Sequence, residues 1–182
     1  MEAVAELIDL AKQYAVWEYA KVVLTDERFP VWSGSAKPEH HHYGDGGLAQ
    51  HTLEVAELCL STHKAYQKYR KLVRPDFLLL AAIFHDCGKM WDYTTIDGVW
   101  GSADHKYRIH HISRSAIVWN ERAYSINCSP ISSDSDVDLI THAILSHHGC
   151  RAWGSPVSPR TTTAWILHCC DQMSARLYEC VD

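Results

Sequence analysis

Several things are missing from this 182-residue chain, and each absence narrows what it can be. No uninterrupted apolar run approaches the roughly 20 residues a membrane-crossing helix needs. The first twenty residues carry acids and lack the apolar core of a secretory signal. No long Lys/Arg run occurs, and the formal net charge is −5. A protein that grips long nucleic acid by its phosphates usually shows a basic stripe. The densest basic stretch here, Lys64 to Arg74, reads as a solvated helix face and its exit. Gly44-Asp45-Gly46-Gly47 lacks the Walker spacing and lysine, so it is no phosphate loop. The seven cysteines have no zinc-finger spacing, and adjacent Cys169 and Cys170 are poorly placed to pair with each other. They read as reduced and mostly buried, which points to a cytoplasmic protein with no membrane partner. Internal repeats and low-complexity linkers are also absent.

What is present suits a single globular unit. The hydrophobic fraction of 47% is enough for a core. Apolar residues Val4, Leu7, Ile8, Ala11, Ala15 and Tyr19 recur at helical spacing, which predicts one helix over 2–24. A loop with many glycines leads into a second helix over 47–70. Pro75-Asp76 opens a third, from Phe77 to about Cys87, with Gly88 as a left-handed cap. Its centre, Leu78-Leu79-Leu80-Ala81-Ala82-Ile83-Phe84, is apolar on every side and marks the core helix. Asp97-Gly98 between strand-like residues predicts a small hairpin. Further helices are expected over 106–122, 135–148 and 160–179, with Gly149 as a stop. The fold class is all-α with one minor β-hairpin.

Thirteen histidines are the anomaly. His85-Asp86 sits at the end of the most apolar helix. An ionised aspartate there is costly unless paired or bound to a cation. It also lies at the negative end of a helix dipole, which favours a cation. His51 lies near a helix start, His111 within the fourth helix, His147-His148 at the end of the fifth, and Asp171 within an apolar stretch of the last. Helical bundles build metal sites from imidazoles and carboxylates offered by facing helices. Mixed nitrogen and oxygen donors suit Mn, Fe, Co, Ni or Zn better than Ca.

The order His51, His85-Asp86, Asp171 resembles the HD superfamily of metal-dependent phosphohydrolases. Several segments resemble the HD domain of YhaM-type 3′–5′ exoribonucleases: His41-His42 with Gly47-Leu48-Ala49 and His51; His85-Asp86-Cys87-Gly88-Lys89; Ile144 to Gly149; Trp153 to Pro156; and Ile166-Leu167-His168. The resemblance spans roughly 36–178. It implies an HD helical bundle over 36–182, preceded by an N-terminal helical extension, 1–35, that does not look like an oligonucleotide-binding barrel.

The resemblance also implies roles. His51, His85, Asp86 and Asp171 would hold a first metal, with Asp86 bridging to a second. His111 and one of His147 and His148 would complete the second site, where Mg is admissible. One or two ions are compatible with the sequence. Neighbouring helical residues point about 100° apart, so His147 and His148 are not expected to face the same ion. Lys89 would reach a substrate phosphate. His41 and His42 would contact substrate, and Asp86 and Lys89 would serve catalysis. Independently of the resemblance, imidazoles not bound to metal can protonate a leaving group, for which His42 and His148 are candidates. Trp153, in a Gly/Pro loop beside the histidine pair, can stack on a substrate base. Two positions depart from the family: Ser174 stands where an acid is usual, and His110 replaces a glycine.

The remaining histidines read differently. His63 and His105 are expected on the surface, and His40 and His142 in structural or supporting places. His168 shares a helical face with Asp171 and either orients it or is a hydrogen-bonded core residue. The activity implied is hydrolysis of a nucleotide phosphoester, in a small nucleotide or at a nucleic-acid 3′ end. Alternatives are a (deoxy)nucleoside tri- or monophosphate phosphohydrolase and, in another class, a metal-stabilised nucleotide-binding module without turnover. The expected partner is a nucleotide or short oligonucleotide, and a homo-oligomer is compatible with the sequence.

Overall fold

The computed structural model describes residues 1–69, 74–126 and 128–180. Residues 70–73, in the basic stretch and at the end of the expected second helix, lie outside them. The described chain is mainly helical, with one two-stranded antiparallel sheet. Among the described residues, no helix is long and apolar enough to cross a membrane.

The core is organised around α4, Pro75–Phe84. Every residue from Phe77 to Phe84 is buried. An all-round apolar helix needs neighbours on all sides. They are α2 (Trp17–Leu24), α3 (Gly47–Tyr66), α7 (His111–Ser125), α8 (Asp134–Ser146) and α9 (Thr162–Glu179). Fully burying each leucine side chain is worth about 1.5–3 kcal/mol. The same packing delivers the end of α4 into the middle of the molecule, which is where His85-Asp86 emerges.

The helix expected over 2–24 is two helices. α1, Glu2–Gln13, ends before Ala15, which stands at φ 57. The Val16 N–H bonds Ala11 O at 2.8 Å and the Ala15 N–H bonds Lys12 O at 3.1 Å. This is the Schellman pattern, with alanine in the place glycine usually takes. Periodicity missed the break because Val16 is buried and keeps the apolar rhythm going.

The helix expected over 106–122 is also split. α6, His105–Arg108, and α7 are separated by His110 at φ 69. Gly88 is not a left-handed cap: its φ is −61, and it leads into the short α5, Lys89–Asp92. Glycine is required there for space, because a Cβ would lie 2.2 Å from the His111 carbonyl oxygen. That close approach brings the start of α7 against the turn that carries Asp86. Gly47 plays a similar part, since a Cβ on it would lie 1.9 Å from His42 O.

The hairpin pairs β1 (Tyr93–Ile96) with β2 (Val99–Ser102), Thr95 opposite Trp100. Asp97 and Gly98 both have positive φ, as a type I′ turn demands. Trp100 Nε1 donates to Asp45 at 2.9 Å and its ring packs edge-on to Trp32 at 5.0 Å. The sheet is thereby pinned to the loop carrying the histidines at 40–42.

Candidate metal centre

Asp86 lies in the turn after α4 and is 1% exposed. Its two oxygens face two different groups of histidines. Oδ2 is 3.4 Å from His51 Nε2 and 3.4 Å from His85 Nε2. Oδ1 is 3.4 Å from His111 Nε2 and 3.5 Å from His147 Nε2. Asp171 Oδ1, from α9, joins the first group at 3.2 Å from His51 Nε2 and 3.8 Å from His85 Nε2. His51 and His85 Nε2 are 3.3 Å apart. His51, His85, Asp86 and Asp171 thus form one set, and Asp86, His111, His147 and His148 another, each with donor atoms within 4.8 Å of one another.

Both His147 and His148 belong to the second set, contrary to the expectation that they diverge. α8 ends at Ser146, and His147 and His148 follow it in the turn closed by the Gly149 N–H on Ser146 O at 2.8 Å. Their ring centroids are 4.4 Å apart.

The ring protons can be counted from partners that accept only. His85 Nδ1 donates to Ala82 O at 2.6 Å, His147 Nδ1 to Ile144 O at 2.7 Å, and His148 Nδ1 to Trp153 O at 2.6 Å. His51 Nδ1 lies 3.1 Å from Ser174 Oγ, which donates its own proton to Glu54 Oε2 at 2.9 Å. Ser174 therefore accepts from His51. Glu54, on α3, supplies a carboxylate behind the position where the family's usual acid is absent. Each of these imidazoles, if neutral, turns a bare Nε2 lone pair inward. Asp86 Oδ1, His111 Nε2 and His147 Nε2 are buried without a hydrogen-bond partner.

This donor set fits a divalent cation. Two donors each about 2.1 Å from a tetrahedral ion lie about 3.4 Å apart, close to the spacings seen. Buried, unpartnered acceptors aimed at one another are otherwise costly. The electrostatics agree for both carboxylates, His111 and His148. At His51 and His147 burial is outweighed by the pull of Asp86 and Asp171, which raises the imidazoles toward the charged form that a cation would displace. Burial opposes charge on Asp86, but Lys89 and the surrounding imidazoles hold its carboxyl well below the ordinary range. Asp171 is likewise depressed, with His51 overcoming the cost of burial. Burial lowers His111 to about 4 and His148 to about 2, so both are neutral, as ligands must be.

A cleft of 280 Å³ opens over the second set, with His111 and His148 in its wall together with Lys37, His41, Lys89 and Lys106. Lys89 Nζ contacts Asp86 Oδ2 at 2.6 Å. His41 is lowered to about 3 by burial and by Lys89. Its Nδ1 is 3.0 Å from His42 Nδ1. His42 itself is 4% exposed, with Nε2 3.1 Å from Glu54, and stands behind His41 rather than in the cleft wall. Trp153 is 55% exposed and reaches the site through its carbonyl on His148. His40 lines the cleft, and His142 Nε2 accepts from the Arg160 N–H at 2.9 Å. His168 bonds His147 O at 2.7 Å, so it steadies the turn after α8 rather than Asp171.

His105 is not a simple surface residue. It is 16% exposed and its Nδ1 lies 2.7 Å from Asp92, which also holds His111. Nothing in the linear pattern identifies Asp92, Glu54 and Ser174 as supports of the ligand set. The nearest linear signals are the placement of Glu54 one helical turn after His51 and the serine at 174 where the resembled family has an acid.

The HD-domain family model matches residues 48–176 of the chain. A 3′–5′ exoribonuclease YhaM of Shouchella clausii is 31% identical over 147 residues, 78% of this chain and 42% of the relative. That of Geobacillus is 25% identical over 179 residues, 97% of this chain and 52% of the relative. That of Oceanobacillus iheyensis is 28% identical over 142 residues, covering 78% and 42%. The chain thus spans about half the length, or less, of these curated relatives. No solved structure gives a significant match.

Proposed function

The chain belongs to the HD-domain family, whose members are metal-dependent phosphohydrolases, and from that premise we propose that it hydrolyses a phosphoester of a nucleotide, either a small nucleotide or a nucleic-acid 3′ end. The observation that carries this reading is Asp86, whose two oxygens each face a separate set of inward-turned histidine Nε2 atoms beside a lysine-lined cleft. His51, His85, Asp86 and Asp171 would hold one divalent ion, and Asp86, His111, His147 and His148 a second. When bound, such ions activate water for attack and polarise the phosphoryl oxygens. Mn, Fe, Co, Ni or Zn suits the first set, with its imidazoles and carboxylates.

The chain's own residues would do the rest. Lys89, already in the cleft wall, supplies a cation for a phosphoryl oxygen. Lys37 and Lys106 offer two more to flanking phosphates. His41, in the cleft wall with its Nδ1 3.0 Å from His42 Nδ1, would meet a ribose hydroxyl. Trp153, exposed beside His148, is a surface on which a base can stack.

The test is release of phosphate or nucleotide from a panel of nucleotides and short RNA and DNA with Mn²⁺. Asp86→Asn keeps the shape but weakens both ligand sets. It should fold with unchanged helicity, bind metal at least about 100-fold more weakly and lose turnover, since even supporting residues are worth 10–100-fold. Full metal content and normal rates in that variant would rule this reading out.

A further inference from the structure

Asp92 closes α5 and is fully buried. One of its oxygens, Oδ2, accepts from the His111 backbone N–H at 2.8 Å and faces His111 Nδ1 at 3.1 Å. The other, Oδ1, is 2.7 Å from His105 Nδ1. On the far side of that ring, Arg114 Nε is 3.1 Å from His105 Nε2. The Arg114 guanidinium also stands over the Trp91 ring at 5.3 Å, which fixes its plane.

The direction of every link follows from counting protons. A guanidinium only donates, so His105 Nε2 must accept and carries no proton. The single ring proton of His105 is then on Nδ1 and goes to Asp92. An ionised carboxylate only accepts, so His111 also carries its proton on Nδ1. Its Nε2 is left as a buried lone pair, without a hydrogen-bond partner, 3.4 Å from Asp86 Oδ1.

We propose that Arg114, His105 and Asp92 are a positioning relay that locks His111 in its Nδ1–H tautomer and so makes its Nε2 a standing donor to a divalent cation beside Asp86. The proposal rests on the metal reading above. The relay closes on itself: it leaves α7 at His111, crosses α5 and α6, and returns to α7 one turn later at Arg114. A ring held through such a loop can neither rotate nor exchange its proton between nitrogens. Without the relay, the Nε2–H tautomer becomes accessible and would aim a proton at the cation. Partners of this kind typically govern 10–100-fold in metal affinity. A purely structural role in joining α5, α6 and α7 would affect stability but not the tautomer.

Nitrogen-15 labelled protein, stripped of metal by chelator, is the first sample. Long-range proton–nitrogen spectra should show His105 and His111 both as Nδ1–H. Arg114→Met keeps the apolar stem on Trp91 but removes the donor. It should release His105 from a single tautomer and weaken one of two Mn²⁺ binding steps about 10-fold, leaving the other unchanged. Arg114→Lys, which restores a donor, should recover most of that loss. Asp92→Asn should be more severe, because its amide must turn a donor toward one of the two rings. It should shift His111 toward Nε2–H or detach His105 from Arg114. An Nε2–H His111 in the unmodified protein, or unchanged spectra and Mn²⁺ binding in both Arg114→Met and Asp92→Asn, would overturn the relay. Absence of Mn²⁺ binding by the unmodified protein would sink the metal reading instead. The tautomer spectra are taken without metal and decide the relay on their own.

Discussion

His110 stands at φ 69 and ψ 144, a region that residues with a Cβ rarely enter. Its carbonyl opens α7 by accepting from the Arg114 N–H at 3.0 Å, and its ring lies on that of His111 with centroids 4.2 Å apart. Backbone strain of this kind costs of order 1–3 kcal/mol and is kept where the surroundings enforce it. The resembled family carries glycine at this position, which accepts that conformation freely. His110→Gly is therefore expected to stabilise the protein by about 1 kcal/mol, after allowing for the greater freedom of glycine in the unfolded chain. It should also raise KM, because the ring lines the cleft. Urea unfolding and steady-state kinetics check the two parts separately. A destabilised variant would mean that the stacked ring contributes more than the backbone strain costs. The same residues show what a linear reading can reach. Asp86 was legible because an acid at the end of an all-apolar helix demands a partner. The role of Asp92 was not, because it depends on His111, 19 residues away. That of Ser174 depends on Glu54, 120 residues away. Such pairings are made by packing and leave no local pattern.

At the scale of elements, apolar periodicity found the buried faces but not the breaks between helices. The core helix α4 was readable because eight successive buried residues leave no other arrangement. The turn at Ala15 was not, because neither glycine nor proline marks it. Gly88 was visible as punctuation, yet its reason is contact with His111 rather than a left-handed cap. The break at Ala15 supplies a direct check. An L-residue in the left-handed region pays about 1–2 kcal/mol that glycine does not, against about 0.4–1 kcal/mol of extra unfolded-state entropy for glycine. Ala15→Gly should thus stabilise by roughly 0.5–1 kcal/mol, read as a higher urea midpoint with an unchanged slope. A drop in midpoint would show that the methyl group packs usefully between α1 and α2.

The whole molecule is net acidic, with formal charge −5, and Lys37, Lys89 and Lys106 line one cleft of 280 Å³. The first 35 residues supply α1 and α2, which pack on α3 and α4. A long polyanion gains affinity by displacing counterions along many contacts, and each contact steepens the dependence on salt. Lys37, Lys89 and Lys106 would meet no more than about three phosphates, so the slope of log affinity against log salt should stay near −2 for a single strand. Mononucleotides or very short oligonucleotides should then be cleaved by this chain with kcat/KM at least equal to that for long RNA. The measurement is a length series of 3′-labelled RNA at two salt concentrations, with Mn²⁺ held constant. Steep loss of activity with salt, together with strong preference for long strands, would contradict this. It would require further cationic surface, assembled by association of copies or by additional chain, and would make progressive trimming of RNA the better description of the activity.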